Sequence, residues 1–367
     1  MCGTHIKNGN VIATDHIIRS ASVTLADGKI ASVGANIRPA KSSNTIDAKG
    51  LFVSPGFIDT HIHGDPADIL KHEIKFGTTS IIVAISCDSL MGGYRKINEI
   101  RKFKKEDPLG TSMLGIRLEG PYISKIKSGA QNKQYIKKPN TGELFGVIKK
   151  CGGELKIITI APEIKGALGL VKILKNKNII ASLGHSNATY EEARRGIDAG
   201  ITHATHIFNA MRGVDYAGPG ASSACIFDDR VITEIILDLV HVRKQLFQVL
   251  LKLKGLDKTI LITDSVRAEK NPAAKLEGNV YRFQDGRIAG SNTTMIQVLK
   301  NAVKHCNLSL PEAIRLITLN PAKLLGLSAR KGMIAKGRDA DLVIFDKDFD
   351  VKMTMINGKI AYRQRGF

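Results

Sequence analysis

The chain has 367 residues, 43% of them hydrophobic, and 54 Lys+Arg against 34 Asp+Glu give a formal net charge of +20. That length can bury a large core, and no stretch approaches the roughly 18 consecutive apolar residues that a membrane-spanning helix needs. With no Trp and no recognisable nucleic-acid motif, the positive charge argues for small anionic ligands over nucleic acid or membrane partners.

From the start at Met1 the chain goes directly into a strand-like segment with no apolar signal core, so cytoplasmic residence is the expectation. Short β-prone runs at 6–12, 21–25 and 29–33 follow, and Ala26-Asp27-Gly28 supplies hairpin-turn chemistry. After Ser54-Pro55-Gly56 the pattern changes. Apolar strand candidates at 56–61, 79–85, 113–118, 156–161, 179–183, 201–205, 232–237 and 259–263 alternate with helix-like segments such as 190–199 and 243–254. The basic runs at 95–105 and 125–138 fall between strands, and the first reads as a solvated helix face. Past 326–332 the chain turns β-rich again, at 341–345 and 351–356, with a turn at Asn357-Gly358. Eight βα units imply an α/β fold, a (β/α)8 TIM-type barrel over 55–325. A small β-sandwich domain built from both termini (1–54 and 326–367) completes it. Five scattered cysteines, Cys2, Cys87, Cys151, Cys225 and Cys306, include no Cys-x-x-Cys pair, which argues against a disulfide framework or a thiolate zinc site. Cys87 reads as a buried inert thiol.

Six residues stand at or near predicted strand ends: His61 and His63 (strand one), Glu119 (three), His185 (five), His206 (six) and Asp264 (eight). Barrel enzymes gather their reactive groups at the C-terminal strand ends, so these distant residues would converge on one rim. A His-x-His pair on a strand presents both rings on one face. Imidazoles and carboxylates so gathered form a divalent-metal site with a carboxylate beside it, the equipment for metal-assisted hydrolysis. Singly, each residue also has a structural reading, and Asp264 could cap the following helix. His72, His203 and His305 lack the strand-end register and read as structural or surface histidines.

Ser54-Pro55-Gly56-Phe57-Ile58-Asp59-Thr60-His61-Ile62-His63-Gly64 resembles the opening of the amidohydrolase superfamily. Leu118-Glu119-Gly120-Pro121-Tyr122, Gly184-His185-Ser186, Thr205-His206-Ile207-Phe208-Asn209-Ala210-Met211, Thr263-Asp264 and Ala289-Gly290-Ser291 are similar to blocks of the N-acetylglucosamine-6-phosphate deacetylase family within it. The resemblance implies that Glu119, His185 and His206 hold the main divalent ion and that His61 and His63 supply a second or alternative site. That gives one or two ions per chain, zinc first, with iron or manganese as alternatives. Asp264 would take a proton from the attacking water and return it to the departing nitrogen. Ala130, Gln131, Asn209, Ala210, His241, Ile288, Ala289 and Gly290 would contact substrate, and a homodimer is implied. The expected reaction removes the acetyl group of N-acetylglucosamine 6-phosphate.

The chain departs from the family at several positions. Gln131, in Ser128-Gly129-Ala130-Gln131, stands where many relatives carry a histidine that polarises the acetyl carbonyl, and it offers only a neutral donor. Ala217 stands where an arginine grips the sugar phosphate, with Arg212 or the lysines after Tyr122 as candidate substitutes, and Leu239 replaces a glycine beside His241. Another N-acetyl sugar, or another N-acyl or cyclic amide, therefore stays open as an alternative substrate. A non-catalytic basic binding protein on a retained barrel is a third reading, and the clustered site residues argue against it.

Overall fold

Two stretches from opposite ends of the chain share one sheet. The computed structural model describes residues 3–35, 37, 44–107, 112–268 and 273–367, so Cys2 lies outside the described residues. In that sheet the strands run in the order Lys359–Arg363, Val351–Ile356, Leu342–Phe345, Phe52–Pro55, Thr4–Ile12, Ile17–Ala26 and Lys29–Gly34, and Asn44–Asp47 also pairs with Thr4–Ile12. The two turns anticipated from sequence form. Asp27 and Gly28 have φ of 50° and 75°, and Asn357 and Gly358 have 49° and 72°. Two positive φ values in succession mark the type I′ hairpin, which matches the strand twist. Ile6, Val23, Val53, Leu342 and Met353 centre a core that belongs to this sheet alone.

The middle of the chain closes a parallel ring. Strands Phe57–Gly64, Thr78–Ser86, Met113–Glu119, Leu155–Ile160, Ile180–Leu183, His203–Ala204, Ile232–Ile236 and Thr259–Ile262 each pair with the next. A helix follows each: Pro66–Glu73, Leu90–Glu106, Thr141–Cys151, Ala167–Asn176, Tyr190–Ala199, Ala221–Phe227, Lys244–Lys254 and Met295–Cys306. The chain continues past the eighth strand into Ser265–Ala268, which pairs in parallel with the first strand. Asp59 bridges the same seam, accepting from the Thr263 hydroxyl and main-chain N–H. Because helices cover the outside and side chains fill the inside, the strands read as nearly unbroken apolar runs. All eight anticipated strands are present, and two differ in extent by more than one residue at an end. The first runs on through Gly64, so His61 and His63 lie within it. The sixth is only His203–Ala204, because the chain leaves the sheet to reach His206 at φ 29°.

The helix Leu90–Glu106 buries Ile97 and Ile100 and leaves most of the 95–105 basic run in solvent, as its charge pattern implied. One feature was not anticipated. Ala274–Glu277, Val280–Phe283 and Ile288–Ser291 form an antiparallel insert joined to the barrel sheet through Ser265–Ala268. Its turn carries Phe283, Arg287 and Ile288 to the mouth of the barrel.

Gly184 shows how tightly the rim is built. A Cβ there would lie 2.5 Å from Thr205 Cβ, just past the sixth strand, and 2.9 Å from Thr159 Cγ2 on the fourth. Gly184→Ala is therefore expected to destabilise the protein by about 1–3 kcal/mol, an overpacking cost. Urea unfolding would check it, and an unchanged midpoint would contradict the packing argument.

Candidate active site and metal centre

All six strand-end residues converge. Their ligand atoms form two groups, Glu119 with His185 and His206, and His61 with His63 and Asp264, each within 4.8 Å internally. Glu119, at the end of the third strand, joins them. Its Oε1 lies 2.9 Å from both His185 Nε2 and His206 Nε2, and its Oε2 lies 3.4 Å from His63 Nε2. Asp264 Oδ1 is 3.4 Å from His61 Nε2 and 3.2 Å from His63 Nε2. Its side chain keeps 14% exposure whereas the other five keep 5% or less, so Asp264 is the carboxylate that meets incoming solvent.

The backbone is bent to achieve this. His185, His206 and Asp264 have φ of 46°, 29° and 48°, and Phe208, Ala210 and Leu239 on the same rim are also positive. Left-handed backbone costs an L-residue on the order of 1–2 kcal/mol, and such strain collects where function fixes geometry. Leu239 at φ 66° occupies a conformation that suits glycine.

Three of the four rings are also held from behind, and the fourth, His206, has no hydrogen-bond partner at Nδ1 among the described residues. His61 Nδ1 donates to Glu234 at 2.9 Å, His63 Nδ1 meets the Ser86 hydroxyl at 3.2 Å, and His185 Nδ1 donates to the Lys127 carbonyl at 3.0 Å. The opposite nitrogen, Nε2, is thereby directed into the site. His61 Nε2 is buried and has no hydrogen-bond partner among the described residues. A buried polar atom left without a partner in a dry site costs free energy unless something binds it. A divalent cation suits that nitrogen and the imidazole–carboxylate donor set.

Electrostatics point the same way. Burial opposes charge on Glu119, but protonated His61 and hydrogen bonds from His185 and His206 hold its carboxyl well below the usual range. Asp264 behaves alike: burial opposes its charge, and His61 and His63 win. Burial and Arg117 push His61 down, yet Asp264, Glu119 and Glu234 together raise it to about 9. Burial also disfavours charge on His63, which Asp264 and Glu119 nonetheless hold well above its ordinary value. Protons on these rings balance carboxylates that a metal ion would otherwise balance.

The site opens into a cavity of about 420 Å3. Ala130, Gln131, Asn209, Ala210, His241, Ile288, Ala289 and Gly290, the eight positions inferred from the resemblance, all line it. Gln131 differs from expectation in its bonding. Its amide nitrogen donates to Glu119 Oε2 at 2.6 Å and its carbonyl accepts from Cys87 N at 2.7 Å, so the donor anticipated for an acyl oxygen instead orients Glu119. Burial raises the Cys87 thiol to about 12, which makes it inert. Neither Arg212 nor the lysines after Tyr122 line the cavity; Arg212 packs against Gly218 and Gly220. Arg287 does line it, fixed by Asp285 at 2.7 Å and by the Gly129 carbonyl at 2.7 Å. His203 is buried beneath the site, where burial lowers it to about 4, while His72 bonds Glu73 and Arg267 away from it.

Sequence reasoning missed Arg287, Glu234 and Arg117. The last two carried a signal, since a charged residue inside an apolar barrel strand needs a partner.

The Amidohydrolase family profile matches residues 52–361. The N-acetylglucosamine-6-phosphate deacetylase of Lysinibacillus sphaericus is 32% identical, with 97% of each chain covered. The N-acetylgalactosamine-6-phosphate deacetylase of Escherichia coli O157:H7 is 29% identical over 98% of this chain and 99% of its own. The chain belongs to the N-acetylglucosamine-6-phosphate deacetylase family of amidohydrolases. Among solved structures, the Mycobacterium smegmatis N-acetyl-D-glucosamine-6-phosphate deacetylase in complex with N-acetyl-D-glucosamine-6-phosphate superposes with a TM-score of 0.89. It is 31% identical, with 98% of this chain and 99% of that one covered. The family's deacetylase from Thermotoga maritima gives 0.87 at 29% identity, covering 98% and 100%.

A pH dependence follows for metal-free protein. His61 rises from its ordinary 6.5 to about 9 on folding, so its stabilising contribution is complete below about pH 6.5 and is lost as pH rises through about 9. Chelator-treated protein should show a falling Tm between pH 7 and 10, and His61→Gln should flatten that slope. A slope unchanged in the variant would contradict the assignment.

Proposed function

We propose that this chain is a divalent-metal hydrolase that converts N-acetylglucosamine 6-phosphate to glucosamine 6-phosphate and acetate. The observation that carries this reading is the paired ligand groups sharing Glu119 at the floor of a cavity, with Asp264 the more solvent-accessible of the two carboxylates. Glu119, His185 and His206 would hold one ion, and His61 and His63, beside Asp264, a second. Zinc suits this donor set, as do iron and manganese. When bound, such ions make a water more acidic and polarise a carbonyl oxygen, the two requirements of amide hydrolysis.

The remaining work belongs to the protein. Asp264 is ionised because His61 and His63 outweigh its burial, so it can remove a proton from the attacking water. That proton then serves the amine nitrogen as the carbon–nitrogen bond breaks, since the first step leaves the carboxyl in its acid form. His241, with Nδ1 tied to Asp238 at 2.6 Å, presents its other nitrogen to the cavity wall. Asn209 and the backbone at Ala289 and Gly290 line the same space.

Arg287 supports the phosphorylated substrate over a neutral one. Among the described residues lining the cavity it is the only Lys or Arg, and its anchors, Asp285 and the Gly129 carbonyl, engage Nε and Nη1. The other terminal nitrogen can meet an anion. The relatives' substrates as their names give them, N-acetylglucosamine 6-phosphate and N-acetylgalactosamine 6-phosphate, agree with that charge. We extend the reading to a homodimer in the cytoplasm, where the buried free thiols of Cys87, Cys151, Cys225 and Cys306 stay reduced.

Acetate release is the test, measured with phosphorylated and free N-acetylglucosamine in the presence of zinc, iron or manganese. Turnover of the phosphorylated sugar is expected, and turnover of neither sugar with any of these metals would overturn the proposal. Asp264→Asn should lower kcat by about 10²–10⁴-fold, the usual weight of a proton-transfer group, with metal content retained. Near-normal turnover in that variant would remove Asp264 from the mechanism. Arg287→Ala should raise KM for the phosphorylated sugar by roughly 10–100-fold, the loss of one charge-assisted hydrogen bond, and leave free N-acetylglucosamine unaffected. Equal losses on both sugars would show that Arg287 shapes the loop and does not read charge.

A further inference from the structure

Beneath the metal-ligand cluster lies a buried ion pair that the proposed chemistry does not use. Arg117 on the third barrel strand and Glu234 on the seventh have no solvent exposure. Arg117 Nη2 lies 2.6 Å from Glu234 Oε1 and Nη1 lies 2.7 Å from Oε2, a two-point contact across the barrel interior. Arg117 also donates to the Thr205 hydroxyl at 2.8 Å. A guanidinium gripped at two points permits a single orientation of the carboxylate it faces. Glu234 is thus a fixed acceptor. Its Oε1 receives His61 Nδ1 at 2.9 Å and the main-chain N–H of His206 at 3.2 Å. One carboxylate therefore touches a residue from each ligand group.

We infer that Glu234, locked by Arg117, is a positioning residue that makes His61 a metal ligand. An imidazole on a strand can rotate and can carry its proton on either nitrogen. A hydrogen bond from Nδ1 to a fixed carboxylate removes both freedoms and leaves Nε2 facing Asp264 and Glu119, where it has no hydrogen-bond partner among the described residues. The other site histidines need less from this pair at their rings, since Glu234 meets His206 only at its main-chain N–H. His185 is braced by the Lys127 carbonyl, and the nearest hydroxyl to His63 Nδ1 is that of Ser86. The second ion should therefore depend on Glu234, and the ion at Glu119, His185 and His206 should not. This inference rests on the two-ion reading above.

Removing one partner alone leaves a buried charge and endangers folding, so the test uses paired substitutions that keep the barrel floor neutral. Arg117→Met with Glu234→Gln removes both charges and retains an acceptor for His61. Arg117→Met with Glu234→Leu removes the acceptor too. Metal content of the purified full chains would be read by elemental analysis after zinc loading, and each ion's affinity by competition with a chelator. We expect two ions in the wild type and in the Gln pair, with the Leu pair binding its second ion about 10–100-fold more weakly and its first ion unchanged. Two ions held equally tightly in all three proteins would overturn the positioning role alone and leave the two-ion reading intact. Equal weakening in both pairs, or loss of both ions together, would also overturn it, because the effect would then track the floor of the barrel and not the acceptor. Wild-type protein saturating at one ion would overturn the inference together with the two-ion reading on which it rests.

Discussion

A carboxylate without access to water must be surrounded by positive charge, and the rim of this barrel is organised around one. Glu119 divides its two oxygens between His185 and His206 on one side and His63 on the other, with His61 close by. Bringing Glu119, Asp264 and Glu234 so near each other without compensating cations would be prohibitive in a dry interior. Arg117 balances one of them permanently. The other two are balanced by whatever occupies the space between the imidazoles, which is protons in the metal-free protein and metal in the proposed holoenzyme. The strained backbone at His185, His206 and Asp264 is tolerated because these contacts and the closed ring over-determine it.

Above that floor the molecule separates tasks by structural element. The barrel strands carry the residues that face the cluster, where a shift of an ångström would disperse the ligand atoms. The insert after the eighth strand carries Arg287, Ile288, Ala289 and Gly290, which line the cavity above the cluster. The insert reaches the cavity by pairing with Ser265–Ala268, immediately after Asp264. The segment that carries Arg287 is thus tied by main-chain hydrogen bonds to the segment that begins next to Asp264. A family member lacking an arginine at the position of Ala217 can in this way present a guanidinium to the same cavity from another loop.

Gln131 illustrates how a change of residue type alters a role while keeping a place. A histidine there could hold charge and reach a ligand. The shorter-range amide is engaged at both ends, by Glu119 and by Cys87 N, and steadies the carboxylate on which both ligand groups depend. In the proposed chemistry, polarising a carbonyl would then be the part of a bound metal ion.

The sequence by itself determined the eight-strand ring, the hairpin turns at Asp27-Gly28 and Asn357-Gly358, and the six residues that meet at the rim. These are local or periodic signals: apolar runs of strand length, turn dipeptides that accept positive φ, and polar residues repeated at one phase of a βα unit. The tertiary structure alone decided what those residues do to one another. Glu234 and Arg117 are 117 positions apart and become partners only when the third and seventh strands face each other across the closed barrel. Arg287 becomes a cavity residue only because an insert folds back over the mouth, and Gln131 is drawn to Glu119 by a loop whose path no propensity encodes. Pairing across a closed ring depends on long-range packing and register, and the chain holds that information as the sum of all its contacts and not in any one segment.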